Sequence, residues 1–260
     1  MTTKLFTGVD IGSSFTKAVV IDDSGKVLSA SVLKTGMDFE SASKRALDEA
    51  CAKTGRGSPL MATGVGRSRC TAKPPTKTEI SCIARGSFHH FPRPHIVVDI
   101  GGQDNKVVRV AEAGRQLDFK MNRKCAAGTG AFLEEIARRL DLPAEGISEM
   151  ARRASKAVEI GSYCTVFTCT EIIHHIREGA SPEGILRGCY ESVVKRILEM
   201  DPLDGDVALS GGVIATHPVI ADILAEKLGR APFVPPQAQF VGALGAALMS
   251  RESHEKHAAL

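Results

Sequence analysis

The sequence predicts an α/β fold built from two copies of one domain. The prediction starts from two similar stretches, VDIGSSFTK at residues 9–17 and VDIGGQDNK at residues 98–106. Each is a short apolar run that contains an Asp and ends in Ile, continues with Gly and small or polar residues, and reaches Lys seven positions after the Asp. The aspartates are 99 − 10 = 89 residues apart, which is too long for a solenoid repeat and suits a duplicated small domain.

In the first copy, three strands are followed by helix, strand and helix. The apolar runs on either side of the Gly-Ser turn, ending at Ile11 and covering residues 18–21, predict a β-hairpin. KVLSASVL is predicted to be the third strand and SASKRALDEACAK a helix. PLMATGVG is predicted to be a short strand, and TEISCIARGSFHHF a helix that ends before Pro92 and Pro94.

The pattern restarts after these prolines, which places the predicted domain boundary between residues 93 and 94. The predicted elements of the second copy are strands at 95–100, 106–110 and 117–121, helices near 130–140, 146–155, 170–178 and 182–200, a strand that runs into the glycine pair of VALSGGVIA (207–215), and helices near 218–227 and 240–250. This repeated order is typical of the duplicated ribonuclease-H-like domains of the actin, Hsp70 and sugar-kinase superfamily. We therefore expect domains at 1–93 and 94–260, with a nucleotide cleft between them.

Composition limits the function classes. At 260 residues with 43% hydrophobic and 24% charged residues, the chain is expected to be globular and large enough for two modest domains. The net charge of +3 is too small to indicate a nucleic-acid or acidic-membrane partner. The longest apolar run, at 241–249, is too short for a membrane span. Asp10 and Asp22 interrupt any secretory signal, so a cytoplasmic location is expected, without nucleic acid or membrane as a partner.

Both predicted hairpins suit phosphate binding. Backbone N–H groups and Ser hydroxyls in the turn form a donor surface for phosphate oxygens, and Asp10 at the strand end could hold a hydrated Mg²⁺. The candidate residues are Gly12, Ser13, Ser14 and Lys17 in the first hairpin, and Asp99, Gly101, Gly102, Gln103 and Asp104 in the second. An ordinary glycine-containing hairpin is the alternative for either copy. The matched spacing of the two copies favours a pair of phosphate loops.

A third candidate element is LSGGV, which contains Ser210, Gly211, Gly212 and Val213. A glycine pair after a strand allows a base or ribose to lie against the backbone, where a Cβ would block it. Such a pair on its own is more often a turn. As the third piece in this order, it is predicted to be an adenosine-binding loop.

The cysteines indicate either core packing or a metal centre. There are seven, an odd number, at positions 51, 70, 82, 125, 164, 169 and 189. Cys125 is predicted at a strand-to-helix turn, while Cys164 and Cys169 are predicted to precede another helix. A helix N-terminus lowers a thiol pKa and stabilises an anion such as a tetrathiolate iron–sulfur cluster. Buried structural cysteines are the alternative, and zinc is disfavoured because the chain lacks a pair of CxxC motifs.

The chain resembles the BadF/BadG/BcrA/BcrD-type ATPases, the family of 2-hydroxyacyl-CoA dehydratase activators and benzoyl-CoA reductase ATPase subunits. The matching segments are VDIGSSFTK, ATGVGR, VVDIGGQDNK, MNRKCAAGTG, CTVF, LSGGV and QFVGALGAAL. In that family two cysteines from each of two subunits hold one 4Fe-4S cluster on the dimer axis. The matching positions here are Cys125 and Cys164, with Cys169 as a possible competing ligand.

The resemblance implies ATP-driven electron transfer. A ferredoxin or flavodoxin would reduce the cluster, and the protein, a homodimer or a heterodimer with a related ATPase subunit, would pass single electrons to a CoA-thioester dehydratase or reductase. Gln103 is the candidate for positioning the attacking water, with Asp10 and Asp99 organising Mg²⁺ and the phosphates. The cofactor-binding residues would include Gly128, Thr129 and Gly130. The alternatives are a small-molecule kinase of the same fold and a nucleotide-gated interaction module, neither of which would contain iron.

Overall fold

The computed structural model of the chain describes residues 4–52, 54, 59–122, 128–161 and 164–258. Its strands are β1 (Leu5–Ile11), β2 (Phe15–Asp22), β3 (Val27–Lys34), β4 (Leu60–Thr63), β5 (His95–Ile100), β6 (Asn105–Val110), β7 (Gln116–Asn122) and β8 (Val207–Ser210). Its helices are α1 (Phe39–Cys51), α2 (Glu79–His90), α3 (Gly130–Arg139), α4 (Ile147–Arg152), α5 (Thr165–Arg177), α6 (Pro182–Met200), α7 (Gly212–Thr216), α8 (Val219–Leu228) and α9 (Val241–Ala258).

The first sheet has the strand order β3-β2-β1-β4. Strands β1 and β2 form the predicted antiparallel hairpin, in which Asp10 lies opposite Lys17. Strand β4 runs parallel to β1 on the other side and places Thr63 beside Asp10. An isolated parallel β-bridge pairs Ala62 of β4 with Thr76, on the outer edge of the sheet.

The second sheet repeats this arrangement. Its order is β7-β6-β5-β8. The first strand of the hairpin, β5, therefore lies next to the later strand β8, as β1 lies next to β4 in the first sheet. A parallel bridge, here from Ala208 to Phe233, again lies outside the last strand. The two sheets have the same order of equivalent strands, and both are combined with helices. This confirms the predicted duplicated α/β architecture.

The first compact unit consists of Met1–Val97, Val108–Phe119 and Gln239–Leu260. Alternating strand residues separate the two faces of its sheet, as the two-residue period of a strand requires. Val9 and Val20 pack towards Ala46 of α1, whereas Phe6 and Val19 pack towards Leu244 of α9. Both faces of this sheet are therefore covered by helices.

Helices α2 and α9 cross in direct backbone contact within this unit. A Cβ on Gly86 of α2 would lie 2.1 Å from the carbonyl oxygen of Val241, and one on Gly245 of α9 would lie 1.8 Å from that of Cys82. Real Cβ atoms do not approach so closely, so the crossing requires glycine at both positions.

The second compact unit consists of Val98–Val107 and Lys120–Ala238. Its longest helix is α6, where the Ser181 side chain caps the N-terminus by accepting from the Gly184 amide and Pro182 occupies the first turn. Tyr190 of α6 is fully buried and its hydroxyl lies 2.8 Å from Nδ1 of His217. The unit thus has its own core.

Three local predictions differ from the structure. The strand predicted to run into the glycine pair ends at Ser210, because Gly211 has a φ of 103° that no strand accommodates, but the short helix α7 that follows was not predicted. Helix α5 begins at Thr165 instead of near 170, so Cys169 lies inside the helix and only Cys164 precedes it. Helix α9 continues to residue 258, eight residues beyond the predicted end.

The contact-defined units divide the chain differently from a single boundary between residues 93 and 94. Residues 239–260 belong with the first sheet because α9 packs on β1, β2 and β4. The division into 1–93 and 94–260 stays a prediction about the duplicated segments.

Within the part of the chain that the structure describes, no helix combines the length and the apolar character needed to cross a bilayer.

Candidate functional site

The first hairpin presents a carboxylate and a lysine at the end of β1. Lys17 Nζ lies 3.6 Å from Oδ2 of Asp10, and both side chains are only partly exposed. The turn closes through a hydrogen bond from the Gly12 amide to the Phe15 carbonyl. A Cβ on Gly242, in the first turn of α9, would lie 3.3 Å from Oδ2 of Asp10. Asp10 therefore lies beside the N-terminal turn of a helix, which carries partial positive charge.

The second hairpin repeats the turn and adds a second carboxylate beside the lysine. The Gly101 amide donates to the Asp104 carbonyl at 2.8 Å, as Gly12 does to Phe15. Lys106 Nζ lies 3.7 Å from Oδ2 of Asp99 and 2.7 Å from Oδ1 of Asp104. Lys106 is almost completely buried, and the two carboxylates beside it compensate its charge. Gln103 is exposed at the tip of the turn, next to Gly102.

Glycines at the end of β8 and β4 have equivalent surroundings. A Cβ on Gly211 would lie 2.3 Å from the Ile100 carbonyl oxygen, and one on Gly64 would lie 2.4 Å from the Ile11 carbonyl oxygen. Both have positive φ, 103° and 94° respectively. Thus LSGGV has a counterpart in ATGVG, and Gly211 is required for packing against β5. Gly212 is different, because a Cβ there would meet nothing within 4 Å, which leaves room for a ligand.

The start of α3 is hydrogen-bonded to the second hairpin. The amides of Gly130 and Ala131 donate to the carbonyls of Gly101 and Gly102, at 3.0 and 2.9 Å. The Asn105 side chain donates through Nδ2 to the Gly128 carbonyl at 2.9 Å. Three bonds therefore join the predicted phosphate loop to the residues that follow Cys125, although Cys125 itself lies outside the described residues.

The same segment also contacts the LSGGV loop. A Cβ on Gly130 would lie 3.1 Å from Cγ2 of Val213 and 3.2 Å from Cα of Gly102. Gly128 has a φ of 82°, and a Cβ there would lie 3.2 Å from Cδ of Arg196 on α6. The absence of a side chain at Gly130 thus lets the start of α3 approach two predicted nucleotide loops at once. Thr129 is fully buried at the N-cap of α3.

Cys164 is the N-cap residue of α5. It is partly exposed, makes no disulfide, and its carbonyl accepts from the Thr168 amide at 2.8 Å. The free N–H groups of the first helical turn lie next to this residue. A thiolate at this position would be stabilised by the helix N-terminus, which fits a ligand to an anionic iron–sulfur cluster.

Four other described cysteines are poor thiolates. Burial raises the pKa of the Cys82 and Cys189 thiols to about 12, and it also raises the pKa of Cys70. Cys169 is buried inside α5, and burial raises its pKa despite the nearby Arg139 guanidinium. These environments suit core residues, and Cys51 also belongs to the core that α1 forms on the first sheet.

The second unit brings together most of the predicted site residues that it contains, including Asp99, Ser210 and Val213. Within the described residues, no cluster of three or more His, Cys, Asp or Glu side chains is placed to hold a metal directly. A water-mediated role for Asp10 or Asp99 towards Mg²⁺ does not need such a cluster.

Sequence reasoning missed three positions in this region. Lys106 was noted only as part of the spacing, and neither Asn105 nor Thr63 was singled out. The alignment of the two hairpins gave a signal for Lys106, because it matches Lys17. Nothing in the sequence indicated that Asn105 would contact Gly128.

Known proteins are similar to this chain in sequence and in structure. The chain is 37% identical to the activator of lactoyl-CoA dehydratase of Anaerotignum propionicum, over 96% of this chain and 98% of that protein. It is 32% identical to the activator of the 2-hydroxyisocaproyl-CoA dehydratase from Clostridium difficile, whose structure with bound ADPNP has been solved. That match covers 99% of this chain and 97% of the other, with a TM-score of 0.89.

More distant structures share the fold alone. A ROK family glucokinase from Streptomyces griseus matches with a TM-score of 0.60 at 14% identity, over 95% of this chain and 99% of that one. This confirms the predicted actin-like and sugar-kinase-like architecture. The family model described as the BadF/BadG/BcrA/BcrD ATPase family matches residues 7–250. The two matching hairpins, the equivalent loops ATGVG and LSGGV, and this nearly complete match together show that the chain belongs to the BadF/BadG/BcrA/BcrD ATPase family.

Proposed function

We propose that this ATPase drives single low-potential electrons through a 4Fe-4S cluster shared by two subunits to an enzyme that dehydrates or reduces a CoA thioester. The names of the similar proteins, which are activators of lactoyl-CoA and 2-hydroxyisocaproyl-CoA dehydratases, support this class of acceptor. The electron donor would be a ferredoxin or a flavodoxin. The second subunit would be another copy of this chain or a related ATPase.

One observation carries the proposal: three hydrogen bonds join the second hairpin to the start of α3. Hairpin residues that bind phosphate must adjust when the γ-phosphate leaves, and the Gly101 and Gly102 carbonyls are bonded directly to the first amides of α3. The helix start, five residues after Cys125, would follow that adjustment. Helix α3 also contacts α5, whose N-cap is Cys164. A nucleotide-dependent change at the hairpin therefore has a short route to both predicted ligand segments.

Cys125 and Cys164 would each supply one thiolate per subunit, giving the four that a tetrathiolate cluster needs. When bound, the cluster would supply a one-electron carrier. The chain's own contribution is to hold Cys164 at a helix N-terminus, where backbone N–H groups favour negative charge. Cys169 is a weaker candidate, since it is buried one and a half turns into α5.

The proposed roles at the nucleotide follow from the duplicated hairpins. Asp10 and Asp99 would organise Mg²⁺ through water, and the turn amides with Ser13, Ser14 and Lys17 would bind phosphate oxygens. Gln103, exposed at the tip of the second turn, would orient the attacking water. The space beside Gly212 would accept the adenosine.

The test is anaerobic purification of the wild type and of single Cys→Ser variants, with iron content, native mass and ATPase activity measured on each. We expect about four irons per dimer. Cys125→Ser and Cys164→Ser should lose the iron and shift the protein towards monomer, because metal binding energy contributes to association. Cys169→Ser and Cys51→Ser are the matched controls and should retain iron.

Two outcomes would count against the proposal. If the wild type is an active ATPase but contains no iron after anaerobic purification, the proposed cluster does not exist. Release of ADP that depends on an added metabolite would then indicate a small-molecule kinase. Loss of iron in Cys169→Ser but not in Cys164→Ser would show that Cys169 is the ligand in place of Cys164. The proposal of a cluster shared by two subunits would still stand.

A further inference from the structure

The carboxylate of Asp99 is held from two sides. Ser210 donates its hydroxyl hydrogen bond to Oδ1 at 2.8 Å, and Lys106 Nζ lies 3.7 Å from Oδ2. Asp99 is 9% exposed, Lys106 5% and Ser210 0%. Lys106 is in turn fixed by Asp104, at 2.7 Å. Rotation of the Asp99 carboxylate would break at least one of these contacts.

The first half of the chain lacks this arrangement at each matching position. Thr63 lies beside Asp10 on the neighbouring parallel strand, but its hydroxyl donates to the Lys77 carbonyl. Phe15 stands five positions after Asp10, where the second hairpin has Asp104. Asp10 keeps only Lys17 among these partners, at 3.6 Å. The two duplicated aspartates are therefore not equivalent, and Asp99 alone has a fixed orientation from both sides.

A serine hydroxyl has one proton to donate. Because Ser210 gives that proton to Asp99, it cannot also donate to a ribose oxygen. A carboxylate offers about four lone-pair directions, so two contacts leave others open to water. From this geometry we infer that Ser210 and Lys106 are positioning residues which fix Asp99 for ATP hydrolysis, and that Ser210 does not donate a hydrogen bond to the sugar at the LSGGV loop.

The inference rests on the proposed role of Asp99, and the two can fail separately. We expect Asp99→Asn to reduce kcat for ATP strongly. An unchanged kcat in Asp99→Asn would overturn the role of Asp99 itself. A reduced kcat in Asp99→Asn together with an unchanged kcat in Ser210→Ala would overturn only the positioning role of Ser210.

The main experiment measures kcat and the dissociation constants of ATP and 2′-deoxy-ATP for the full-length protein. Ser210→Ala should lower kcat by about 10- to 100-fold, in line with the loss of a hydrogen bond to a charged group that acts in the transition state. ATP affinity should change by less than about threefold. The preference for ATP over 2′-deoxy-ATP should not change. Loss of that preference with kcat retained would show that Ser210 binds the sugar.

Three further variants guard against a purely structural effect. Ser210→Thr keeps a hydroxyl at this position, so it should recover most of the kcat that Ser210→Ala loses. The double variant Ser210→Ala, Asp99→Asn should be no slower than Asp99→Asn, because both changes affect one group. Additive losses would overturn the inference. Ser192→Ala makes the same chemical change on α6, where the hydroxyl donates to the Cys189 carbonyl, and should retain wild-type kcat.

Discussion

The Asn105→Leu variant tests whether the second hairpin controls the start of α3. Asn105 is 1% exposed, its Nδ2 donates to the Gly128 carbonyl, and its Oδ1 has no partner among the described residues. Leucine has a similar size and shape but cannot make the bond. The other two links between the hairpin and α3, through backbone amides, would remain.

The effect on stability should be small because two terms oppose each other. Removing the donor leaves the Gly128 carbonyl unpaired, at about 1–3 kcal/mol, while removing the buried unpaired Oδ1 relieves a cost of about the same size. The free energy of unfolding should therefore stay within about 1 kcal/mol of the wild-type value. For a chain of this length, that corresponds to about 2–4 °C in the melting temperature.

The local effect should be larger than the global one. Hydrogen exchange at the Gly130 and Ala131 amides reports on the opening of their bonds to Gly101 and Gly102. Loss of a neighbouring bond worth about 1 kcal/mol should speed exchange at these amides about five- to tenfold. Protection gained on adding ADPNP should also shrink. If the proposed function holds, more ATP should be hydrolysed per electron delivered.

The matched control is Thr16→Val, at the same position of the first hairpin. Its hydroxyl pairs with that of Thr35, so this variant should leave exchange at Gly130 and Ala131 unchanged. Unchanged exchange at these two amides in Asn105→Leu, with or without ADPNP, would refute the argument that the side chain ties the hairpin to α3.

Two other predictions concern the glycine pair and a buried histidine. Gly211→Ala should cost more than about 3 kcal/mol in urea unfolding, since its Cβ would meet the Ile100 carbonyl at a positive φ. Gly212→Ala should leave stability within about 1 kcal/mol but weaken ATP binding, and equal stability losses in both variants would contradict the distinction. Burial lowers the pKa of His217 from 6.5 to about 4, so the fold favours the neutral ring. This contribution, of the order of 3 kcal/mol, is complete above about pH 6.5 and is lost as the pH falls towards 4. His217→Phe should therefore lose less stability than the wild type between pH 6.5 and 5, as measured by urea unfolding.

Local chemistry made most elements predictable. The β1–β2 and β5–β6 hairpins, α1, α2 and α6 follow from alternating or helical apolar patterns with clear turn and cap residues. Helix α7, directly after the glycine pair, was not predicted because VALS and VIA are equally apolar, and only the backbone conformation of Gly211 separates them. The start of α5 was placed too late because Thr165 and Val166 are β-branched and give a weak helix signal.

Side-chain partners at the site were less predictable. Asp99 and Ser210 are 111 residues apart and meet because β5 and β8 are neighbours in the sheet. Similarly, Asn105 meets Gly128 only after α3 has packed on the hairpin. The motifs identify which segments form the site. They do not show that the hydroxyls at the matching positions Thr63 and Ser210 have different hydrogen-bond partners, because those partners are set by how the strands pair in the folded chain.

The placement of α9 has a consequence for the order in which the chain can fold during synthesis. Every residue of the second unit leaves the ribosome before α9 does, while the first sheet needs Leu244 and Leu248 of α9 to cover Phe6 and Ile21. Until then that face of the first sheet is apolar and open. We expect the second unit to complete its core first, and the nascent first unit to be the part that chaperones protect from aggregation.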